Sequence, residues 1–166
     1  MSDLHWMTVA EAARAIATRE LSPVELMNSP LERIGQLNPK LNVFIRLDGD
    51  AAIIAARAAE AEIVSGHRRG PLHGVPVGIK DVIDVAGLPT TCHSKVLIDN
   101  IASADAVCVS RLRGAGAIVL GKLSTHEFAI GGPSFDLPWA PALNPWNTNH
   151  HPGGSSDKIR LLPTSK

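Results

Sequence analysis

The chain has 166 residues, 45% of them hydrophobic, with 16 Lys plus Arg balanced by 16 Asp plus Glu for a formal charge of zero. That length suits one ordinary domain with a real core rather than two, and the charge balance removes the basic excess expected of a direct nucleic-acid surface. No run approaches the roughly 18–20 apolar residues of a membrane span, and Met1-Ser2-Asp3-Leu4-His5 lacks the cationic-then-apolar order of a secretory signal, so the expectation is a cytoplasmic protein with two reduced thiols, Cys92 and Cys108.

Thr8 and Glu11 have capping-box spacing, and Val9, Ala12, Ala13, Ile16 and Ala17 form the apolar stripe of a first helix. Ser22, Pro23 and Glu25 mark a second start, with Pro30 expected to kink that helix or end it early. Leu41 to Leu47 reads as extended. Asp48 then caps an alanine-rich helix from Gly49 to Ser65, with Ala52, Ile53, Ala56, Ala59 and Ile63 inward and Gly66 closing it. The mixed charges Arg57, Glu60 and Glu62 favour packing over a membrane surface for this helix.

Gly70-Pro71-Leu72-His73-Gly74 predicts a turn, and Val75 to Ile79 a short buried strand with Lys80-Asp81 at its end, continued by Val82 and Ile83. Ser103 or Asp105 begins the next helix and Ala117 to Leu120 is another buried strand, a helix–strand alternation that indicates α/β architecture. Ser124 and Glu127 offer a further capping box for a short helix over Thr125 to Ile130. From Gly131 onward, prolines 133, 138, 141, 145 and 152 exclude long regular elements, leaving a loop with Phe135, Trp139 and Trp146 as expected anchors.

Lys80 is the sharpest chemical candidate, because burial at a strand end favours the neutral amine, which accepts a proton; the alternative is a lysine whose stem packs while its amine stays wet. Asp81 can orient Lys80 or pair with a backbone amide. In Pro152-Gly153-Gly154-Ser155-Ser156 the glycines let backbone approach closely and the serine hydroxyls can join a proton relay, or the run is a simple turn. His73 reads as a turn histidine bonded to backbone, and His126 as either a cap-region residue or part of a substrate entrance. His150 and His151 lack a third metal ligand in sequence, so neither a metal nor a cofactor is expected.

Taken in order, Gly74-Val75-Pro76-Val77-Gly78-Ile79-Lys80-Asp81, Gly121-Lys122, Glu127-Phe128-Ala129, Asn144-Pro145-Trp146-Asn147 and Pro152-Gly153-Gly154-Ser155-Ser156 closely resemble the amidase signature family. The resemblance implies an α/β fold, with N-terminal helices and the initial strands of a mixed-sheet amidase domain that is incomplete at its C-terminus. Residues 1–166 would form a partial amidase-like domain, and 131–166 its proline- and glycine-rich active-site loop and an atypical tail. It also implies amide hydrolysis by a serine, a serine joined through a cis peptide, and a lysine. Lys80 matches the base and Ser155 the bridging serine, while Ser156, Asp81, Gly153 and Gly154 support the loop. A cis bond from Gly154 to Ser155 costs roughly 2.5–4 kcal/mol and needs the fold to hold it.

The pattern fails after Ser156. The family's nucleophile is expected about 24 residues beyond the bridging serine, whereas this sequence continues Asp157-Lys158-Ile159-Arg160, and Ser165 in the tail lacks preceding glycines. The main expectation is therefore a truncated amidase-like protein, inactive alone, whose complete relative acts on a small-molecule amide. The alternative is a binding or assembly module related to the A subunit of a transfer-RNA-dependent amidotransferase, with self-association or a protein partner and neither nucleic-acid nor membrane binding.

Overall fold

In the computed structural model, which describes residues 4–154, the Thr8 side chain accepts from the Glu11 amide and the Glu11 carboxylate accepts from the Thr8 amide. The capping box thus forms and starts helix α1, Val9–Ala17. Ser22 Oγ accepts from the amides of Val24 and Glu25 and opens α2, Pro23–Leu41, with Pro23 in the first turn. Pro30 neither ends nor shortens α2. One backbone bond is lost there, but Met27, Ile34 and Leu41, seven residues apart, are all buried, and this packed stripe carries the helix past the proline.

Asn42 stops α2 in a left-handed conformation at φ 54°. The Asn38 amide group then donates to the Phe44 carbonyl and accepts from its N–H, launching strand β1, Phe44–Leu47. Helix α3, Gly49–Val64, follows with Asp48 at its N-terminus, although the Asp48 side chain makes no capping bond. Ala52, Ala56, Ala59 and Ile63 point inward as the spacing predicts. Strand β2 is Pro76–Lys80, α4 is Val107–Gly114 and β3 is Ile118–Leu123.

The three strands lie in the order β1-β3-β2, with β1 antiparallel and β2 parallel to β3. The result is an α/β fold with N-terminal helices and a small mixed sheet. Helices α2 and α3 meet the sheet in a core that includes Met27, Ile34, Phe44, Ala56, Ile118 and Leu120. Ile79, Val85, Leu88 and Val109 form a second core beside α4, while α1 packs through Ala12 and Ile16 against Leu26 and Val75. Among the described residues, no helix is long and apolar enough to cross a membrane.

Several local expectations are corrected. Val82 and Ile83 do not extend β2: Ile83 N–H bonds back to the Lys80 carbonyl, which turns the chain. Neither Ser103 nor Asp105 caps α4, which has no side-chain cap; Asp105 instead accepts from the Ala86 amide and pairs with Arg113. The Ser124–Glu127 box does not start a helix, because the only helical turn there is Glu127–Ala129, following His126. Of the expected loop anchors, Phe135 and Trp146 are 86% and 93% exposed. Trp139, the third expected anchor, does hold the loop: its half-buried ring packs on the His93 ring at 5.6 Å between centroids and its carbonyl lies 3.0 Å from that ring's nitrogen, together with buried Ala142 and Leu143, whose amide bonds the Leu41 carbonyl.

Two features support specific stability tests. A Cβ at Gly121 would lie 2.1 Å from the Arg46 carbonyl oxygen, so β1 reaches β3 only because position 121 has no side chain. Gly35, inside α2, has open space around it. Gly121→Ala should therefore cost about 1–3 kcal/mol in urea unfolding, and Gly35→Ala should stabilise by roughly 0.5–1 kcal/mol; equal effects would contradict the close β1–β3 approach.

His73, 2% exposed, accepts from the Arg69 amide at Nδ1 and lies 3.3 Å from Glu62 through Nε2. Burial holds it below the ordinary histidine value of 6.5, with Glu62 opposing the shift and Arg69 and Arg68 adding to it. Below pH 6.5 the unfolded chain consequently binds protons that the folded chain refuses, so this contribution is fully present above 6.5 and is lost as pH falls through the folded value. Glu62, held low chiefly by its bond to Arg69, loses its own contribution only below about 4.5, in a separate window. Chemical denaturation across pH should show a falling limb just below 6.5 that His73→Gln flattens; an unchanged limb would assign it elsewhere.

Candidate active site

β3 carries a lysine within an otherwise apolar run, Ile118-Val119-Leu120-Gly121-Lys122-Leu123. A charge there must find partners, since a strand covered on both faces offers no water. Lys122 and Asp81 are both 0% exposed and their charged groups lie 3.1 Å apart. The Lys122 ammonium also donates to the Pro89 carbonyl and to Thr90 Oγ1, each at 2.9 Å, so its three N–H groups all have acceptors. The Asp81 carboxylate in turn accepts from the Thr91 amide at 3.2 Å, from Thr91 Oγ1 at 2.5 Å and from the His93 amide at 3.3 Å.

These bonds fold segment 89–93 around the end of β2. Asp81 N–H donates to the Leu123 carbonyl, carrying the parallel ladder one residue past Lys80, and Cys92 N–H donates to the Asp81 carbonyl. Cys92 and His93 adopt φ of 51° and 55°, a strained pair for non-glycine residues that the surrounding bonds hold in place. Burial, and after it the Asp81 charge, pushes the Cys92 thiol above its ordinary value.

His93 passes the organisation outward. Its ring nitrogens lie 2.5 Å from the Thr125 carbonyl and 3.0 Å from the Trp139 carbonyl, so one side chain links the β2 turn, the exit from β3 and the proline-rich loop. Ser124 and Thr125 are buried at that exit, and His126 Nδ1 bonds the Gly131 carbonyl. The glycine run returns to the same place: a Cβ at Gly154 would lie 2.5 Å from His126 Cε1, so a side chain there would displace the His126 ring.

Lys80 is the last residue of β2, half-buried and in register with Leu123. Alternation along the ladder puts Ile79 and Asp81 on one face and Gly78 and Lys80 on the other. Asp81 sits beneath the strand end, bonded to backbone amides and to Lys122. Gly153, with φ 101°, donates to His151 Nδ1, and Gly154 reaches His126. Ser155, Ser156, Ser165 and the expected cis bond from Gly154 to Ser155 lie outside the described residues. His73 belongs to the turn before β2 and to the α3 contact. No group of His, Cys, Asp or Glu among the described residues could hold a metal ion.

Sequence reasoning places Lys122 in a motif but assigns it no role, and it passes over Thr90, Thr91 and His93. One signal is available. A lysine inside a buried strand requires a buried acid, and Asp81 ends the neighbouring apolar run. The threonines and His93 carry no such signal, because their importance arises only when the turn closes on Asp81.

The chain is similar to several known proteins. The Amidase family model matches residues 25–157. The chain is 44% identical over 156 residues to the A subunit of the glutamyl-tRNA(Gln) amidotransferase of Acidothermus cellulolyticus, covering 94% of this chain and 31% of that protein. It is 40% identical over 154 residues to an acylamidase of Rhodococcus erythropolis, covering 93% and 32%. The native peptide amidase of Stenotrophomonas maltophilia superposes with a TM-score of 0.81 at 35% identity, over 91% of this chain and 32% of that structure. The chain thus spans about a third of the length of the relatives it matches. With the family model covering most of its residues and the lysine-bearing strand in place, the chain belongs to the amidase signature family.

Proposed function

We propose that the chain supplies the lysine-bearing part of an amide-cleaving domain of the amidotransferase A-subunit type, working within a larger assembly rather than alone. The observation that carries this reading is the convergence at one end of the parallel β2–β3 pair. Lys80 ends β2 in register with Leu123, and the Gly153-Gly154 run, which Ser155 follows in sequence, returns to His126 just beyond β3. The likeness to the Acidothermus amidotransferase over nearly the whole chain supports the same reading.

In this proposal neutral Lys80 accepts the Ser155 proton while Ser155 accepts the proton of an attacking serine, which bonds to the amide carbon. Lys80 then returns a proton, by way of the relay, to the departing nitrogen, and water releases the acid from the acyl-serine. Residues after Ser156 carry no second glycine-serine motif. The attacking serine and the amides that stabilise the oxyanion would therefore come from polypeptide corresponding to the remaining two-thirds of the relatives. Residues 131–166 would then act as the loop that delivers Ser155. A second reading, a stand-alone hydrolase of simple acyl amides, draws on the Rhodococcus acylamidase likeness.

Ammonia release separates the two. The chain alone should be inactive; mixed with the downstream portion of an amidotransferase A subunit it should release ammonia from glutamine, and Lys80→Ala should reduce that by at least about 100-fold. Hydrolysis of aryl or aliphatic amides by the chain alone, with glutamine untouched, would favour the second reading and overturn the first.

A further inference from the structure

The proposed relay uses Lys80, yet a second, fully buried lysine lies one strand away. Asp81 follows Lys80 directly, and a lone buried carboxylate there would favour the charged form of the neighbouring amine. Lys122 meets that carboxylate at 3.1 Å with both groups excluded from water. We infer that Lys122 is a positioning residue for Lys80: it cancels the Asp81 charge, keeping the proton-accepting amine populated, and it pins Asp81 so that Lys80 leaves β2 on the opposite face. This role rests on the relay proposed above.

Three observations support the inference. The bond from Asp81 N–H to the Leu123 carbonyl continues the ladder through position 81, so fixing Asp81 fixes the face of Lys80. The Lys122 ammonium is also bound by Pro89 and Thr90, which prevents it from following a displaced carboxylate. At Cys92, where burial is the main influence, Asp81 pushes the thiol up and Lys122 pulls it down; the two charges therefore oppose each other at a neighbouring site. Asp84 also acts on Cys92, His93 donates its amide to Asp81, His126 lies just beyond β3, and among the described residues the ion pair of Asp81 is with Lys122.

The test is competitive acetylation of the 166-residue chain with acetic anhydride at one fixed pH. Mass spectrometry reads the labelling of Lys80 relative to exposed Lys40. Lys122→Met should lower Lys80 labelling about tenfold and Asp81→Asn should raise it by a similar factor. The double variant Asp81→Asn/Lys122→Met should return to within roughly twofold of the parent, as should Lys122→Arg. Both single variants moving in the same direction, as loosened packing alone would produce, or neither moving, overturns the inference. Should circular dichroism show a single variant unfolded, the charge-swapped pair Asp81→Lys/Lys122→Asp carries the test: labelling within roughly twofold of the parent supports the inference, and labelling outside that range overturns it. The opposite-sign pattern without glutamine turnover in the complemented assay would refute the relay reading alone; turnover without the pattern would refute this inference alone.

Discussion

The ion pair between Asp81 and Lys122 is the constraint on which the rest of the site depends. Removing each charge from water costs several kcal/mol, and mutual attraction offsets this only when the remaining hydrogen-bonding positions are filled. Here they are: the ammonium has Pro89 and Thr90 as further acceptors, and the carboxylate has Thr91 and the His93 amide as further donors. Such a pair adds little net stability over an apolar substitute, but it penalises alternatives strongly. A one-residue slip of β2 against β3 would send Asp81 to the other face and leave a bare charge in the core. The register that places Lys80 beside Leu123 is specified in this way.

From that pair the order spreads by short steps. Asp81 closes the turn over residues 89–93, the turn presents His93, and His93 holds the carbonyls of Thr125 and Trp139. The loop beyond β3 is thereby set beside the sheet, where Gly154 can approach His126. A relay of weakly acidic hydroxyls and an amine needs its members held at hydrogen-bond distance before substrate arrives. For the relay proposed above, the fixed backbone at the end of β2 would supply part of that requirement.

Elements with a strong local cause are legible in the sequence: the Thr8–Glu11 box, the Ser22-Pro23 start, the alanine-rich face of α3, and strands β2 and β3 as apolar runs. The position of Lys80 at the end of an apolar strand is legible too, while the proton-accepting role proposed for it comes from resemblance rather than periodicity. The misreadings share a cause, which is tertiary contact overriding a local rule. Pro30 stays helical because Met27 and Ile34 are packed, and Val82 and Ile83 leave the sheet because the Ile83 N–H turns back to the Lys80 carbonyl. Ser124 lies buried where its spacing to Glu127 suggests a cap. Phe135 and Trp146 look like anchors from residue type alone, whereas the loop is fastened by Trp139 against His93, by smaller residues and by backbone bonds that sequence does not display.

Backbone hydrogen exchange tests the central claim most directly. The amides of Thr91 and His93 lie in a loop, yet both donate to the buried Asp81 carboxylate. They should exchange as slowly as the strand amides of Ile79 and Lys122, and in Lys122→Met they should lose protection together while α1 and α2 keep theirs. Fast exchange at Thr91 and His93 in the parent protein, at the rate of exposed loop residues, would contradict an ion pair that organises the site.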